Sequence, residues 1–273
     1  MLWAFWHSAY CLYPSALKYN KPLFVATGEC EIELHQFVTK DKLKDFINYV
    51  KGVICVSTKN KDESISAGLL LDQKFIVAPN AIDNNIFKQL DRKTSRNHFK
   101  LLEDDFVVAF VGGFIQRKGP GRVAAAIEKI NNEKIKSIFI GYCSNGVIEY
   151  PECKGIVFRD KLKHDEIPFA LNAADVFVMP TLHEGCCNSI IEAMACGLPV
   201  ISSDRSFNYD VLNDTNSILI DPMSVDEVAN AIRTLKEDKI LYNKLKQGAT
   251  ESAKQLTIQL RARKIIDFIS QNS

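Results

Sequence analysis

The length and composition of the chain are those of an ordinary globular protein. Its 273 residues suffice for two modest domains, and 47% of them are hydrophobic and 25% charged. The net charge of +1, without a long run of one sign, argues against a nucleic-acid groove and against a polybasic membrane patch. The apolar start over residues 1–13 lacks the basic leader of a signal peptide and is too short to span a bilayer.

Short apolar runs alternate with helical patterns along the whole chain. Most runs are continuous in Val, Ile and Phe, which is typical of strands buried on both faces. The predicted strands are 2–6, 22–26, 52–57, 74–78, 106–112, 137–140, 155–158, 175–179, 200–202 and 217–220. The predicted helices are 40–50, 121–131, 166–173, 189–195, 225–237 and 258–269. This alternation predicts an α/β fold with parallel sheets covered by helices.

A polar, charged stretch between Ile82 and Asp104 separates two apolar strands and predicts a domain boundary. We therefore expect an N-terminal Rossmann-like domain over residues 1–88, an interdomain linker over 89–104, and a C-terminal Rossmann-like domain over 105–255. The first half holds fewer strand candidates than the second. The N-terminal domain is therefore expected to be incomplete and the C-terminal one complete.

The eight cysteines form no CxxC pair, which argues against zinc ribbons and thioredoxin-like redox motifs. Several lie in apolar segments, as Cys55 and Cys196 do. They are interpreted as buried free thiols of a reducing compartment.

The first candidate site is the segment FVVAFVGGFIQRKGPGR, residues 106–122. A buried strand ends at Gly112 and Gly113, and a helix is predicted to begin near Gly121, whose N-terminus favours an anion. Arg117 and Lys118 add positive charge where a phosphate would lie. A plain strand–turn–helix connection with a solvated pair of basic residues is the alternative. The segment is neither GxGxxG nor a P-loop, so a nicotinamide cofactor and ATP hydrolysis are not favoured.

The second candidate site is PTLHEGCCNSIIEAMACGLPVISSD, residues 180–204, in which seven residues separate Glu184 from Glu192. Both follow a predicted strand, at the sheet edge where open α/β sheets bind ligands. Glu192, early in a helix with Asn188 as its expected N-cap, is suited to accept both hydroxyls of a ribose, and Glu184 to orient a sugar hydroxyl. Alternatively, Glu192 is only a helix charge favoured by the dipole. Backbone N–H groups expected to face a polar ligand are those of Gly185, Cys186 and Cys187. Asn188, Gly112 and Gly113 are likewise expected among the donor-binding residues.

The second segment resembles the E-x7-E signature of family 4 glycosyltransferases, which have the GT-B fold. The RKG turn at residues 117–119 is similar to the diphosphate-binding loop of that family, and VAPNAID, residues 77–83, is similar to its interdomain element. Asp175 also matches its pattern. The resemblance runs from about residue 20 to the C-terminus. It implies two Rossmann-like domains and a C-terminal helix, residues 256–273, that crosses back to the first domain.

The resemblance implies retaining transfer of a hexose from a nucleoside diphosphate sugar, without a metal ion or other cofactor. Glu184, Arg117 and Lys118 would then be the catalytic residues: Glu184 would bind the donor sugar, and the two basic residues would stabilise the leaving diphosphate. Glu192 would hold the donor ribose. The main chain near Arg159 and Asp160 would lie near the base.

Some positions depart from the family pattern. Gly113 replaces an arginine that many members carry, and Arg117 is expected to compensate. Glu29 stands where members often have a histidine, so Glu29 and His7 are candidates for the acceptor or sugar side; a packed or solvated His7 is the simpler interpretation. The first strands and Gly-rich loop of the family are missing, so a full-length member would extend upstream of Met1. The remaining histidines with polar neighbours are interpreted as surface residues: His35, His98 and His164.

The resemblance further implies a UDP- or GDP-linked donor, a glycan or lipid-linked acceptor, and a role in surface polysaccharide or glycoconjugate synthesis. The enzyme would be cytoplasmic, with a peripheral contact at the inner face of the membrane. A nucleotide-sugar epimerase or a phosphorylase relative shares the architecture but fits the motifs less well. A non-catalytic nucleotide-sugar-binding module is the alternative from a different class.

Overall fold

The chain forms two compact units in the computed structural model, each built on a parallel sheet. The first unit is Met1–Asn80, Glu184–Cys186 and Ile258–Ser273, and the second is Ala81–His183 and Cys187–Thr257. None of the helices in the described part of the chain has the length and hydropathy needed to cross a membrane. The structure describes residues 2–4, 6–70, 74–143 and 146–273, without the side chains of residues 2–4 and 35.

The sheet of the first unit has four described strands, all parallel, in the spatial order β1-β2-β3-β4. Its strands are β1 (Leu2–Ala4), β2 (Leu23–Thr27), β3 (Gly52–Cys55) and β4 (Phe75–Val77). Its helices are α1 (Trp6–Lys18), α2 (Leu34–Phe37), α3 (Lys40–Tyr49), α4 (Thr58–Ser66) and α11 (Ile258–Asn272).

The first strand ends earlier than the sequence predicts, because Trp6 begins α1. Trp6, Ala9 and Ala16 are buried, and Tyr13 packs against the same core. Their spacing is that of one helix face rather than of a strand. The rings of Trp6 and Tyr13 meet the Phe46 ring edge-on at 6.1 and 5.6 Å.

The C-terminal helix α11 packs in the first unit. Arg261 Nε donates to the carbonyl oxygen of Ala78 at 3.2 Å, and Lys264 Nζ donates to that of Val77 at 2.8 Å. The Phe268 ring approaches Gly52 so closely that a β-carbon there would lie 2.7 Å from it. A helix from the end of the chain therefore covers β3 and the end of β4.

The sheet of the second unit has six described strands, all parallel, in the order β10-β9-β8-β5-β6-β7. The strand order reverses between β5 and β8, and doubly wound sheets bind ligands at the carboxyl ends of the strands beside such a reversal. The strands are β5 (Phe106–Val111), β6 (Ile135–Ile140), β7 (Ile156–Asp160), β8 (Val176–Met179), β9 (Val200–Ser203) and β10 (Ser217–Ile220). The helices are α5 (Arg92–His98), α6 (Pro120–Ile130), α7 (Ile167–Ala173), α8 (Asn188–Ala195), α9 (Val225–Glu237) and α10 (Lys239–Lys254), with a 3₁₀ turn at Ser206–Asn208.

The observed boundary between the units differs from the predicted one. The second unit begins at Ala81, and Ile82 bonds there to the carbonyl oxygen of Leu256 at 2.9 Å. Residues 89–104 are not a linker, because they contain α5 and pack in the second unit. The Leu90 N–H, for example, donates to Asn172 Oδ1 at 2.8 Å. The segment Glu184–Cys186 belongs to the first unit, although it lies inside the range predicted for the C-terminal domain.

Asp175 joins α5 to the amino edge of the second sheet. It is 9% exposed and accepts from Arg92 Nη2 at 2.7 Å, from Arg96 Nη1 at 3.4 Å and from the Val107 N–H at 2.8 Å. The buried Arg96 also donates to the carbonyl oxygens of Leu102 and Asp105, at 2.5 and 2.8 Å. Asp175 therefore acts in the packing of the second unit, at the opposite edge of the sheet from the candidate site.

All eight cysteines are free thiols, and Cys55, Cys187 and Cys196 are buried. Burial raises the pKa of Cys55 to about 11 and that of Cys196 to about 12. Both thiols therefore remain protonated at neutral pH. The interpretation as buried thiols is right for these three cysteines only, because Cys11 is exposed and the other four are partly buried.

Candidate functional site

Two loops meet at the strand-order reversal of the second unit. One follows β5 and carries Arg117 and Lys118, and the other follows β8 from Pro180. The Leu182 N–H donates to the Arg117 carbonyl oxygen at 2.9 Å, and Arg117 Nη1 donates to the His183 carbonyl oxygen at 2.5 Å. The half-buried basic pair therefore lies beside the loop that leads into α8.

The start of α6 differs from the anion site that the sequence predicts. Gly119 is the N-cap and Pro120 the first helical residue, so Pro120 offers no N–H. The Gly121 N–H already donates to Glu149 Oε2 at 3.0 Å. The Gly112 N–H likewise bonds to the carbonyl oxygen of Ile140 at 2.9 Å. A carboxylate of the protein itself thus occupies the place at α6 where we expected a phosphate.

The start of α8 differs from the start of α6 in its capping residue and in the groups near its first turn. The N-cap is Cys187 rather than the predicted Asn188, and its side chain makes no capping hydrogen bond. The Cys187 sulfur lies 3.3 Å from Ser189 Oγ instead. The first turn of α8 carries no acidic residue. No carboxylate in its first turn therefore offsets the positive end of the dipole of α8.

Glu192 lies in the second turn of α8 with its side chain only 13% exposed. Burial raises the pKa of this carboxyl group, and the nearby His164 imidazole opposes that shift. His164 Nε2 lies 3.7 Å from Glu192 Oε1, and the His164 ring meets the Phe87 ring edge-on at 5.0 Å. His164 is exposed, as the sequence interpretation held, but it also contacts a candidate site residue.

The segment Glu184–Cys186 is packed against the loop after β2 within the first unit. Glu184 is 7% exposed. A β-carbon on Gly185 would lie 2.5 Å from the carbonyl oxygen of Gly28, so only glycine permits this approach. Asn80, from the VAPNAID element, donates through Nδ2 to the carbonyl oxygen of Cys186 at 3.1 Å. The structure therefore assigns Glu184 and Glu192 to different units.

Glu29 and His7 lie on different elements of the first unit. Glu29 Oε2 accepts from the Gly28 N–H at 2.7 Å, and the Glu29 carbonyl oxygen accepts from Asn60 Nδ2 at 3.0 Å. Glu29 Oε1 is buried without a hydrogen-bond partner among the described residues. His7 is exposed in the first turn of α1, 5.7 Å from the ring of Phe37.

Arg159 and Asp160 end β7 on the same carboxyl edge of the second sheet as the two loops. Arg159 Nη1 donates to the carbonyl oxygen of Pro151 at 2.7 Å, and its guanidinium lies over the Tyr150 ring at 5.3 Å. The Asp160 carbonyl oxygen accepts from the Gly141 N–H at 3.1 Å. The chain then continues from Asp160 to His164, which contacts Glu192.

The profile of the family described as "Glycosyl transferases group 1" matches residues 91–252, more than half of the chain. The chain belongs to this family. It is 28% identical over 229 residues to an Escherichia coli UDP-Gal:alpha-D-GlcNAc-diphosphoundecaprenol alpha-1,3-galactosyltransferase, covering 79% of this chain and 59% of that protein. It is 27% identical over 204 residues to the capsular polysaccharide biosynthesis glycosyltransferase CapM of Staphylococcus aureus, covering 69% and 53%.

Solved structures place the fold of this group 1 glycosyltransferase chain. HepE of Anabaena, solved in complex with UDP, superposes with a TM-score of 0.83 at 19% identity, covering 97% of this chain and 76% of that one. The predicted α/β fold of the GT-B type is confirmed. The chain spans a little over half the length of the two curated relatives.

The sequence interpretation missed a set of buried polar residues that hold the ends of β8 and β9. Ser202 Oγ donates to the Met179 carbonyl oxygen at 2.8 Å, and Ser203 Oγ donates to that of Thr181 at 2.5 Å. Asn208 Nδ2 donates to the carbonyl oxygen of Ser203 at 2.7 Å. Buried polar groups such as these fix the path of a loop because each unmade bond is costly. The polar ending of the motif, ISSD, was the available signal.

Proposed function

We propose that this chain transfers a hexose from a nucleoside diphosphate sugar, with retention of configuration, to a glycan or lipid-linked acceptor in surface polysaccharide or glycoconjugate synthesis. One observation carries the proposal: the basic pair and the start of α8 lie on the two loops joined at the strand-order reversal. A diphosphate bound there would meet Arg117, Lys118 and the positive end of a helix dipole. Membership in the group 1 family supports the same reaction class.

The chemical step needs this arrangement. The bond between the anomeric carbon and the diphosphate oxygen breaks, a bond to the acceptor hydroxyl oxygen forms on the same face, and the hydroxyl proton passes to the departing diphosphate oxygen. Negative charge grows on the departing diphosphate. Positive groups fixed in advance stabilise that charge without reorganisation, so Arg117 and Lys118 would take this role without a metal ion.

The nucleoside would extend from the diphosphate along the carboxyl edge of the second sheet. Glu192 would accept the ribose hydroxyls, with His164 holding its carboxylate, and the segment from Arg159 to His164 would lie beside the base. Glu184 would bind the donor sugar. HepE was solved with UDP, and the E. coli relative is named for a UDP-linked sugar, which favours a UDP-linked donor over a GDP-linked one.

The acceptor side is proposed for the first unit, with Glu29 and His7 as candidate contacts. The E. coli relative is named for a diphosphoundecaprenol acceptor, a lipid-linked glycan. We propose an acceptor of that class, reached by a peripheral contact at the inner face of the membrane. Radiolabelled hexose appearing in the lipid fraction of membranes supplied with UDP-hexose and the purified chain would support this assignment.

Calorimetric titration with UDP, GDP and ADP tests the donor site directly. Lys118→Ala and Glu192→Ala should each weaken binding of the preferred diphosphate, because a hydrogen bond to a charged group contributes about 1.5–3 kcal/mol, roughly tenfold or more in affinity. Lys93→Ala is the matched control, since Lys93 is exposed on α5 in the same unit. It should bind within about twofold of the wild type.

The outcomes separate the proposals. Failure of a folded wild-type chain to bind any of the three diphosphates would remove the donor site. Binding followed by release of UDP from UDP-hexose in the presence of acceptor supports the transferase. Binding without any transfer to lipid or glycan acceptors would favour the non-catalytic nucleotide-sugar-binding module.

A further inference from the structure

We propose that Arg122 is a positioning residue that locks the two loops of the donor site into one rigid piece. The inference rests on the proposed function, because it concerns the loops assigned there to the diphosphate. Arg122 is 9% exposed in the first turn of α6. Its Nη1 donates to the carbonyl oxygen of Gln116 at 2.9 Å, and its Nη2 donates to that of Pro180 at 2.8 Å. One guanidinium therefore bridges the loop after β5 and the loop after β8.

Arginine is suited to this bridge. Hydrogen bonds reduce the cost of burying a positive charge, and the planar guanidinium directs several N–H groups at fixed angles. Both Nη atoms of Arg122 are bonded, whereas its buried Nε has no hydrogen-bond partner among the described residues. Burial lowers the pKa of Arg122, and Glu149 nearby opposes that shift. The two carbonyl bonds offset part of the cost of burial.

Gly119 makes room for the bridge. It has a left-handed φ of 77°, and a β-carbon there would lie 2.5 Å from Arg122 Nη2. A side chain at this position would therefore displace the guanidinium as well as strain the backbone. Glu149, which bonds to the Gly121 N–H, holds the other side of the same turn. The order RKGPGR thus places the basic pair, the glycine and the bridging arginine within one turn.

The bridge sets the geometry of the basic pair. Gln116 immediately precedes Arg117, and Pro180 begins the loop whose Leu182 and His183 bond to Arg117. With both carbonyl oxygens held by Arg122, the two loops are already positioned for Leu182 and His183 to bond to Arg117. Without it, the bonds of Leu182 and His183 to Arg117 lose this second support, and we expect the basic pair to shift relative to α8. Misplacement of about 1 Å is enough to weaken a preorganised site substantially.

Two buried arginines of the same unit give a matched experiment. Arg122→Met removes the bridge, Arg122→Lys keeps the charge but cannot span both carbonyl oxygens, and Arg96→Met removes an equally buried arginine at the opposite sheet edge. UDP affinity is measured at a temperature where each variant is folded, with Lys118→Ala as the reference for a direct contact. Hydrogen exchange of the Leu182 amide reports on the joined loops with or without ligand.

Arg122→Met should weaken UDP binding at least about tenfold, Arg122→Lys should recover part of the loss, and Arg96→Met should bind within about twofold of the wild type. The Leu182 amide should exchange at least about tenfold faster in Arg122→Met than in Arg96→Met. Wild-type UDP affinity in Arg122→Met, beside a clear loss in Lys118→Ala, would overturn the role. If no diphosphate binds the wild type, the proposed function fails. Unchanged Leu182 exchange in Arg122→Met would then overturn the bridge by itself.

Discussion

Removal of the Asp175 carboxylate should destabilise the second unit more than removal of any single surface charge. Its two oxygens accept three hydrogen bonds, from Arg92, Arg96 and the Val107 main chain. Asp175→Ala leaves the Arg96 guanidinium, whose side chain is 6% exposed, without its carboxylate. It also leaves the N–H at the start of β5 without an acceptor.

The size of the expected stability loss depends on which hydrogen-bond partners of Asp175 are buried. Breaking a buried ion pair by removing one member costs about 3–5 kcal/mol, because the remaining charge stays desolvated. The Arg92 pair adds little, since the Arg92 side chain is 42% exposed and such pairs contribute about 0–1 kcal/mol. We expect a loss of about 4 kcal/mol for Asp175→Ala, about 2 for Asp175→Asn, which keeps one acceptor oxygen, and under about 1 for Arg92→Ala.

Urea unfolding can assign the loss to one unit. Both tryptophans, Trp3 and Trp6, lie in the first unit, so their fluorescence follows that unit alone. Hydrogen exchange along β5 and β8 follows the second unit, and far-UV circular dichroism follows both units together. UDP affinity of folded Asp175→Asn should stay within about twofold of the wild type, because Asp175 is at the amino edge of the sheet.

The ranking of the three variants is the decisive result. A loss below about 1 kcal/mol for Asp175→Ala would show that Arg96 is adequately solvated or re-paired without it. A loss for Arg92→Ala as large as that for Asp175→Ala would show that the exposed pair of Arg92 and Asp175, and not the buried pair with Arg96, provides the stability. Either result would refute the reasoning from burial.

Two further substitutions test single features of the site. Gly119→Ala should cost about 1–3 kcal/mol of stability from the left-handed backbone, and more because the new methyl group displaces Arg122. The loss should therefore exceed that of Gly197→Ala, where φ is 80° but the nearest atoms belong to the exposed side chain of Gln89. Equal losses in urea unfolding would contradict the clash with Arg122. Burial raises the pKa of Glu192, so the stability that its protonated form provides is present at low pH and is lost as pH rises through the raised pKa. Glu192→Gln should therefore be at least as stable as the wild type at pH 8, lose that advantage on acidification, and bind UDP more weakly; lower stability than the wild type at pH 8 would contradict this.

The strands could be predicted from the sequence because they are buried on both faces. Continuous Val, Ile and Phe runs leave few alternatives, and all ten predicted strands are present with small shifts at their ends. Several helices were missed for a different reason. Helix α4 carries few apolar residues and is marked chiefly by the Ser57 N-cap, whose side chain accepts from the Asn60 N–H. Helix α1 contains Pro14 and an aromatic run that resembles a strand.

The candidate site could be predicted only as far as its residues are close in sequence. Topology brings the loops after β5 and β8 together, and each loop has its own local motif. His164, Glu149 and Arg122 were not identified as site residues, because each acts on a residue or loop that only the folded sheet brings near. The missing signal was the cost of burial: a charged residue in an apolar helix, as Arg122 is in α6, must have distant partners.

The two buried arginines of the second unit show how one physical rule serves stability at one sheet edge and the site at the other. Arg96 fixes the carbonyl oxygens of Leu102 and Asp105 and meets a carboxylate, so it closes the amino edge around β5. Arg122 fixes two carbonyl oxygens at the carboxyl edge, on loops that bear the proposed ligand contacts. Both arginines restrict the movement of loops whose carbonyl oxygens are not hydrogen-bonded within the parallel sheet. At the amino edge the rigidity serves stability, whereas at the carboxyl edge it would set where Arg117 points, and transfer gains rate from charges that are already in place when the diphosphate departs.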